Sequence, residues 1–214
     1  MDTDRKWIVV RIDGKLAGIS RDYGRLADIS ARIANEYGHS EKTTAAKKTA
    51  RKKSAPRKEA LPYGEVTATA VSFDEVLALK KTVRWEDMML FGTDFQKQVW
   101  KRLWDMASGP AEIRLLSYSD FAQLCQNKAG VRAVAHAVGL NPISILIPCH
   151  LVVPKEAINK MKMINKKAEA TIFKGVDLCL NTILKNEGID FGNYAMGPGL
   201  KRKLISMELT GTDL

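Results

Sequence analysis

Two short apolar runs near the start of the chain, Trp7 to Ile12 and Lys15 to Ile19, flank the dipeptide Asp13-Gly14. That dipeptide tolerates the positive φ angles of a tight two-residue turn, so the pattern predicts a β-hairpin over residues 7–20. Leu26, Ile29, Ile33 and Tyr37 recur at helical spacing and predict a helix over 22–37, with Gly38 as its left-handed stop. The patterning lapses through 41–60 and resumes at Leu61. Ser72-Phe73-Asp74-Glu75 and Thr93-Asp94-Phe95-Gln96 have the form of capping boxes, each opening a helix. The second helix runs to about Met106, with Phe95, Val99, Trp100 and Leu103 on one face, before Gly109-Pro110 breaks it.

Ser117 to Gly139 outlines two short helices around a tight turn, a helix-turn-helix pattern. Ser117 caps the first, which carries Tyr118, Phe121, Ala122 and Leu124. Asn127 caps the second, Lys128 to Val138, and Gly139 ends it. Asn141-Pro142, an apolar run from Ile143 to Ile147, and Pro148-Cys149-His150-Leu151-Val152-Val153 follow. Further helices are expected at about 156–168, 176–187 and 200–209.

Composition narrows the class. At 214 residues with 45% apolar content, the chain has room for one ordinary domain or two small ones and material for a core. No apolar run approaches the roughly 20 residues of a spanning helix. Met1-Asp2-Thr3-Asp4 opens without an apolar signal core. The expectation is a cytoplasmic protein with no membrane partner, associated with the nucleoid if the source is bacterial. The cysteines are Cys125, Cys149 and Cys179, an odd count that argues against a disulfide framework. With His136 and His150 they complete no zinc spacing, so no metal is expected and a thiol kept for its reactivity becomes a candidate. The net charge is +10, of which +6 falls in the tract 41–60, where eight Lys and Arg face only Glu41 and Glu59. A polyanion partner fits this charge, although such a tract alone reads as a solvated linker.

The chemistry centres on Pro148-Cys149-His150. Thiolate is the reactive form of cysteine, and an adjacent imidazole can take the thiol proton directly or through water. In an extended strand neighbouring side chains point to opposite faces, so this pairing requires a turn at Cys149. The plainer alternative is a buried structural cysteine at a strand end. The second helix of the pair is also unusual. Ala129, Gly130, Ala133, Ala135 and Ala137 are small, and past the first turn Arg132 is its only long cation. A helix that reads the major groove carries several long polar side chains. A small-residue face instead allows close backbone approach, as a minor groove about 6 Å wide requires, with Arg132 free to enter the base stack.

The order and spacing of Tyr118, Arg132, Asn141-Pro142 and Pro148-Cys149-His150 resemble the alkylguanine-DNA alkyltransferase family. Gly92-Thr93-Asp94-Phe95-Gln96-Lys97-Gln98-Val99-Trp100 and Gly192-Asn193-Tyr194 add to the likeness. The resemblance runs from about Phe91 to Val153 and resumes from Gly192 to Glu208. It implies direct-reversal DNA repair with no cofactor, by a monomer acting on double-stranded DNA that contains alkylated guanine. Cys149 would be the alkyl acceptor, His150 its proton relay through water, and Glu208 the group that orients His150. Asn141 would be the hinge between the recognition helix and the active-site loop. Tyr118 would press on a phosphate and help bind the extruded guanine, and Arg132 would fill the space that guanine leaves. Ala129, Gly130 and Ala133 would line the DNA-facing helix. The carbonyls of Cys149 and Val152 would accept from the guanine amino group. Tyr194, Ala195 and Lys201 would wall or support the pocket.

The resemblance also implies an α/β (α+β) chain. A small N-terminal α/β domain would comprise a hairpin-helix region (1–40), a flexible basic linker (41–60) and its remainder (61–90). A mainly helical C-terminal domain (91–214) would hold a helix-turn-helix of winged-helix-like form, the cysteine loop and a helical insertion at about 154–191. Four features depart from the family pattern. Leu151 stands where arginine is usual, Ala195 offers no hydroxyl, the turn before Arg132 lacks a proline, and the segment between Val153 and Gly192 is long. Cys125 is expected to be core on the first helix of the pair and Cys179 to pack within the insertion, and Trp100 and Trp104 are expected to belong to the core. Two other readings compete: a non-catalytic damage-binding protein of the same fold, and a thiol redox or regulatory protein. The redox reading leaves Arg132 and the small-residue helix without a purpose.

Overall fold

The computed structural model describes residues 6–42, 65–108, 115–170 and 188–210. Most of the basic tract 41–60, the expected helix over 176–187 and Cys179 lie outside the described residues.

Strands β1 (Trp7–Ile12) and β2 (Lys15–Ser20) form the expected hairpin, with Asp13 and Gly14 at φ of 49° and 77°. These are the positive angles that match the right-handed twist of the flanking strands. A bulge between Val10 and Arg11 shifts the register against β2. It explains why Trp7, Val9 and then Ile12 are the buried members of β1, a spacing that breaks strict alternation. A strand not expected from the sequence, β3 (Val66–Val71), pairs antiparallel with the other side of β1, giving the order β2-β1-β3.

Helix α1 (Tyr23–Lys42) covers the sheet by packing Ile29 and Ile33 against Ile12, Ala17 and Phe91. At Gly18 the helix comes so close that an added Cβ would lie 3.1 Å from the Ile29 side chain, so a larger residue here would push that side chain aside. The helix passes through Gly38 instead of stopping there. One glycine inside a helix costs only about 1 kcal/mol, which the surrounding helix can absorb.

Both capping boxes form. Ser72 and Glu75 satisfy each other's backbone N–H groups at the start of α2 (Phe73–Thr82), and Thr93 and Gln96 do the same for α3 (Asp94–Ser108). Val99, Trp100 and Leu103 of α3 are buried, and Trp100 Nε1 donates to Ala137 O at 2.8 Å, tying α3 to the helix pair.

That pair is α4 (Tyr118–Leu124) and α5 (Val131–Gly139). Ser117 caps α4 by accepting from the Asp120 N–H. Three details differ from expectation. The second helix begins at Val131, preceded by a separate 3-10 turn over Lys128–Gly130, and Asn127 makes no capping bond. Gln126 takes a positive φ of 57° in the turn, which re-aims the chain before a regular helix can start. Leu124 is 44% exposed, so the α4 apolar stripe stops at Phe121 and Ala122. Among the described residues the strands beside the pair, β4 (Leu116–Ser117) and β5 (Val152–Val153), are parallel, whereas a wing would be an antiparallel hairpin.

Helix α6 (Lys155–Ala170) follows β5, and α7 (Pro198–Thr210) closes the described chain. The architecture is mixed α/β. One apolar core runs through both ends of the chain, joining Trp7, Val9, Leu16 and Ile19 to Val76, Trp100, Phe121, Ile143, Ile147 and Leu204. Among the described residues no helix is long and apolar enough to cross a membrane.

Candidate functional site

Cys149 does not lie in an extended strand. A 3-10 turn over Cys149–Leu151 follows Pro148, and the Val152 N–H closes it on Cys149 O. The chain therefore turns where the cysteine–histidine pairing requires it to. β5 then pairs Val153 with Ser117, which sets the start of α4, and with it Tyr118, beside the turn.

A side-chain hydrogen bond reaches the sulfur from Asn141. Its side chain is fully buried; Nδ2 donates to Ile147 O at 2.7 Å and to Cys149 Sγ at 3.2 Å, while Oδ1 accepts from the Ile143 N–H. One amide thus links the end of α5 to both sides of the cysteine loop. Ile145, in the same loop, holds a left-handed φ of 74° although it is β-branched and buried. Such a conformation costs on the order of 1–3 kcal/mol and persists only where the surroundings enforce it.

Other polar groups converge on Cys149, which is 8% exposed. Burial and then the charge of Cys149 raise the pKa values of the Tyr118 and Tyr194 hydroxyls, so both remain protonated donors. The Tyr194 hydroxyl is buried without a hydrogen bond of good geometry, although it sits near the sulfur. Lys201 is 1% exposed and donates to Val152 O at 3.0 Å. Burial brings its pKa down to about 8, against the opposing pull of Cys149 and Asp190.

His150 points away into a second polar cluster. Its Nε2 lies 3.2 Å from Glu208 Oε1, and Glu208 also pairs with Lys80. Burial works to raise the Glu208 pKa, but hydrogen bonds from His150 and Lys80 outweigh it and hold the carboxyl at about 2. Burial lowers the His150 pKa, and Glu208 only partly restores it. The imidazole is therefore neutral near pH 7. An ionised carboxylate can only accept, so Nε2 carries the hydrogen and Nδ1 keeps a bare lone pair. Nδ1 is buried without a protein partner, and no direct hydrogen bond joins it to Cys149 Sγ.

The sequence-derived candidates thus fall into groups. Cys149, Asn141, Tyr118, Tyr194, Lys201 and Val152 come together around the sulfur. His150 and Glu208 form a pair behind it. Ala129, Arg132 and Ala133 are exposed on one face near the start of α5, the end of that helix remote from Asn141. Gly130 has a local explanation, because an added Cβ would collide with the Asn127 amide. Ala195 is exposed. Leu151, at the position of the missing arginine, is fully buried. Cys125 is half-buried at the end of α4, where it packs against the core from its edge and also lines a surface cavity. Trp100 is core, and Trp104 packs against the core from its edge. Sequence reasoning missed Lys80, because nothing local to α2 signals a partner far along the chain.

Residues 94–172 match the family model described as 6-O-methylguanine DNA methyltransferase, DNA binding domain. A probable methylated-DNA–protein-cysteine methyltransferase of Acanthamoeba polyphaga mimivirus is 49% identical over 69 residues, 32% of this chain and 44% of that protein. The inducible methylated-DNA–protein-cysteine methyltransferase of Bacillus subtilis is 44% identical over 64 residues, covering 30% and 34%. The match thus spans less than half the length of these curated relatives. Among solved structures, the O6-methylguanine-DNA methyltransferase of Pyrococcus kodakaraensis aligns over 95% of this chain and 91% of its own, at 19% identity and a TM-score of 0.46. Mycobacterium tuberculosis OGT in complex with DNA aligns over 64% and 65%, at 23% identity and a TM-score of 0.41. Residues 94–172, the Cys149 loop included, are thus similar to 6-O-methylguanine DNA methyltransferase DNA-binding domains.

Proposed function

We propose that this protein repairs alkylated DNA by direct reversal, taking the alkyl group from the exocyclic oxygen of guanine onto Cys149. The observation that carries this reading is the buried Asn141 amide directed at Cys149 Sγ at 3.2 Å. The amide holds the sulfur in place by a hydrogen bond, and the buried Lys201 ammonium lies close enough to interact with Cys149.

In this mechanism α5 enters the minor groove by its exposed small-residue face, and the target nucleotide leaves the stack at a cost of a few kcal/mol. Arg132 holds the vacated space. The neutral His150 Nδ1 accepts the thiol proton through a bridging water, and Glu208 stabilises the imidazolium that results. The sulfur attacks the alkyl carbon, the carbon–oxygen bond breaks, and a carbon–sulfur bond forms. Negative charge builds on the guanine ring as its bond to carbon breaks, and a donated proton neutralises it. Tyr118, kept protonated, is positioned to make that donation. The thioether has no neighbouring group able to cleave it, so each molecule, acting as a monomer without a cofactor, reacts once. Residues 6–90 serve as the scaffold behind the C-terminal unit. A non-catalytic damage-binding role would leave the Asn141–Cys149 contact without a task.

Mass spectrometry after incubation with duplex DNA carrying O6-methylguanine tests the reading. One added methyl group on the peptide containing Cys149 is expected. An unmodified protein, or a methyl group elsewhere, overturns it.

A further inference from the structure

Four consecutive backbone carbonyls lie where α5 ends and the cysteine loop begins. Each accepts a hydrogen bond from the N-terminal segment. Arg25 donates to Gly139 O through Nη2 and to Asn141 O through Nη1, the latter at 2.8 Å. Arg32 Nη1 donates to Leu140 O at 3.0 Å, and the Ile19 N–H to Pro142 O at 2.9 Å. The terminal carbonyls of a helix have no partner within it, and its C-terminal end carries partial negative charge. Two guanidiniums converging there answer both needs.

The clamp is itself rigidly held. Arg25, Ile29, Arg32 and Ile33 share one face of α1, and the two isoleucines are buried against the sheet. The Arg25 N–H is capped by Asp22 Oδ1 at 3.1 Å, and β2 returns to the loop through the Ser144 N–H on Ile19 O.

We infer that Arg25 and Arg32 are positioning residues for the Cys149 reaction. They fix the backbone of Asn141, whose side-chain amide in turn reaches Cys149 Sγ at 3.2 Å. The N-terminal helix thereby acts on the sulfur through a single intermediary. A contact of that length is lost when the donor moves by about 1 Å, and a misplacement of that size far from the chemistry can cost about a hundredfold in rate. The inference concerns the same site as the repair reading and rests on it for its catalytic consequence.

The test uses the full chain and the variants Arg25→Met, Arg32→Met and Arg25→Lys, with two readouts. The first is the single-turnover methyl-transfer rate at saturating O6-methylguanine duplex, alongside the DNA Kd. The second is the rate of Cys149 carboxymethylation by iodoacetate without DNA. Arg25→Met is expected to slow saturated transfer by about ten- to a hundredfold, with Kd nearly unchanged. Carboxymethylation should slow in parallel. Arg25→Lys, which can reach one carbonyl at a time, should recover part of both. A lowered Tm with saturated transfer and carboxymethylation at wild-type rates would overturn the inference and leave the repair reading standing. If the wild-type protein takes no methyl group from DNA, the repair reading fails, and carboxymethylation alone still decides the clamp. If Arg25→Met does not fold, Arg32→Met and Arg25→Lys decide it by the same two rates.

Discussion

Cys125 and Cys149 occupy opposite kinds of surroundings. Cys125 is half-exposed on a cavity of about 520 Å³ between α3 and the end of α4, with Lys101, Arg102, Asp105 and Gln126 around it. Even so, burial pushes its thiol pKa up, and the Arg102 charge only partly opposes this. Cys149 is the less accessible thiol, yet it alone has a buried amide aimed at its sulfur, with two tyrosines and a lysine close by. Access and activation are separate properties. A nucleophile needs donors that favour its charged form more than it needs an open surface.

The largest expected effect is the contrast between Cys149→Ser and Cys125→Ser. The first should abolish methyl uptake while DNA binding persists, and the second should leave the rate unchanged in the same single-turnover assay. Transfer surviving in Cys149→Ser would reverse the ranking of the two thiols.

Asn141→Ala should make the Cys149 setting resemble that of Cys125. Loss of one preorganised donor costs on the order of a hundredfold in rate. The abandoned Ile147 carbonyl and Ile143 N–H should also lower stability by about 1–3 kcal/mol. Denaturant unfolding beside the transfer assay separates the two effects, and a wild-type rate in this variant would remove the amide from the mechanism.

The smallest expected effect concerns acid. Glu208 has its folded pKa near 2 against an ordinary 4.5. A depressed carboxylate contributes stability that is fully present above pH 4.5 and is lost as pH falls from there towards 2. The neutral, buried His150 acts in the same direction, because its lowered pKa makes the fold resist protonation below about pH 6.5. Glu208→Gln should lower stability at pH 7 by about 2 kcal/mol and flatten the acid limb. Cys125→Ser should leave that limb as it is. Thermal unfolding across pH 3–7 measures both, and an unaltered acid limb in Glu208→Gln would mean that the His150–Glu208–Lys80 cluster does not support the fold.

Signals that act within a few residues were legible in the chain. Asp13-Gly14, the Ser72/Glu75 and Thr93/Gln96 boxes and the Ser117 cap each close hydrogen bonds among near neighbours, and all appear where the pattern placed them. Local rules failed where context competes. Gly38 permits a stop without compelling one, and Asn127 packs its amide on Gly130 instead of capping a helix. β3 has an exposed edge and little apolar alternation, so its pairing depends on β1 being present.

The site shows the same division. Asn141, Pro148, Cys149 and His150 stand close together in the chain, and it was their resemblance to the alkyltransferase family, not the tripeptide by itself, that pointed to a reactive thiol. The partners that complete it come from distant segments: Lys80 to Glu208, Arg25 and Arg32 to the end of α5, and Lys201 to Val152. From the sequence alone came the local turns, the caps and the hydrophobic stripes, because each depends on residues within a few positions of one another; the candidate nucleophile came from a family resemblance spread between Phe91 and Glu208. Only the tertiary structure decided which groups surround and orient Cys149. Long-range electrostatics and carbonyl capping depend on which surfaces meet, and no pattern along the chain encodes that meeting.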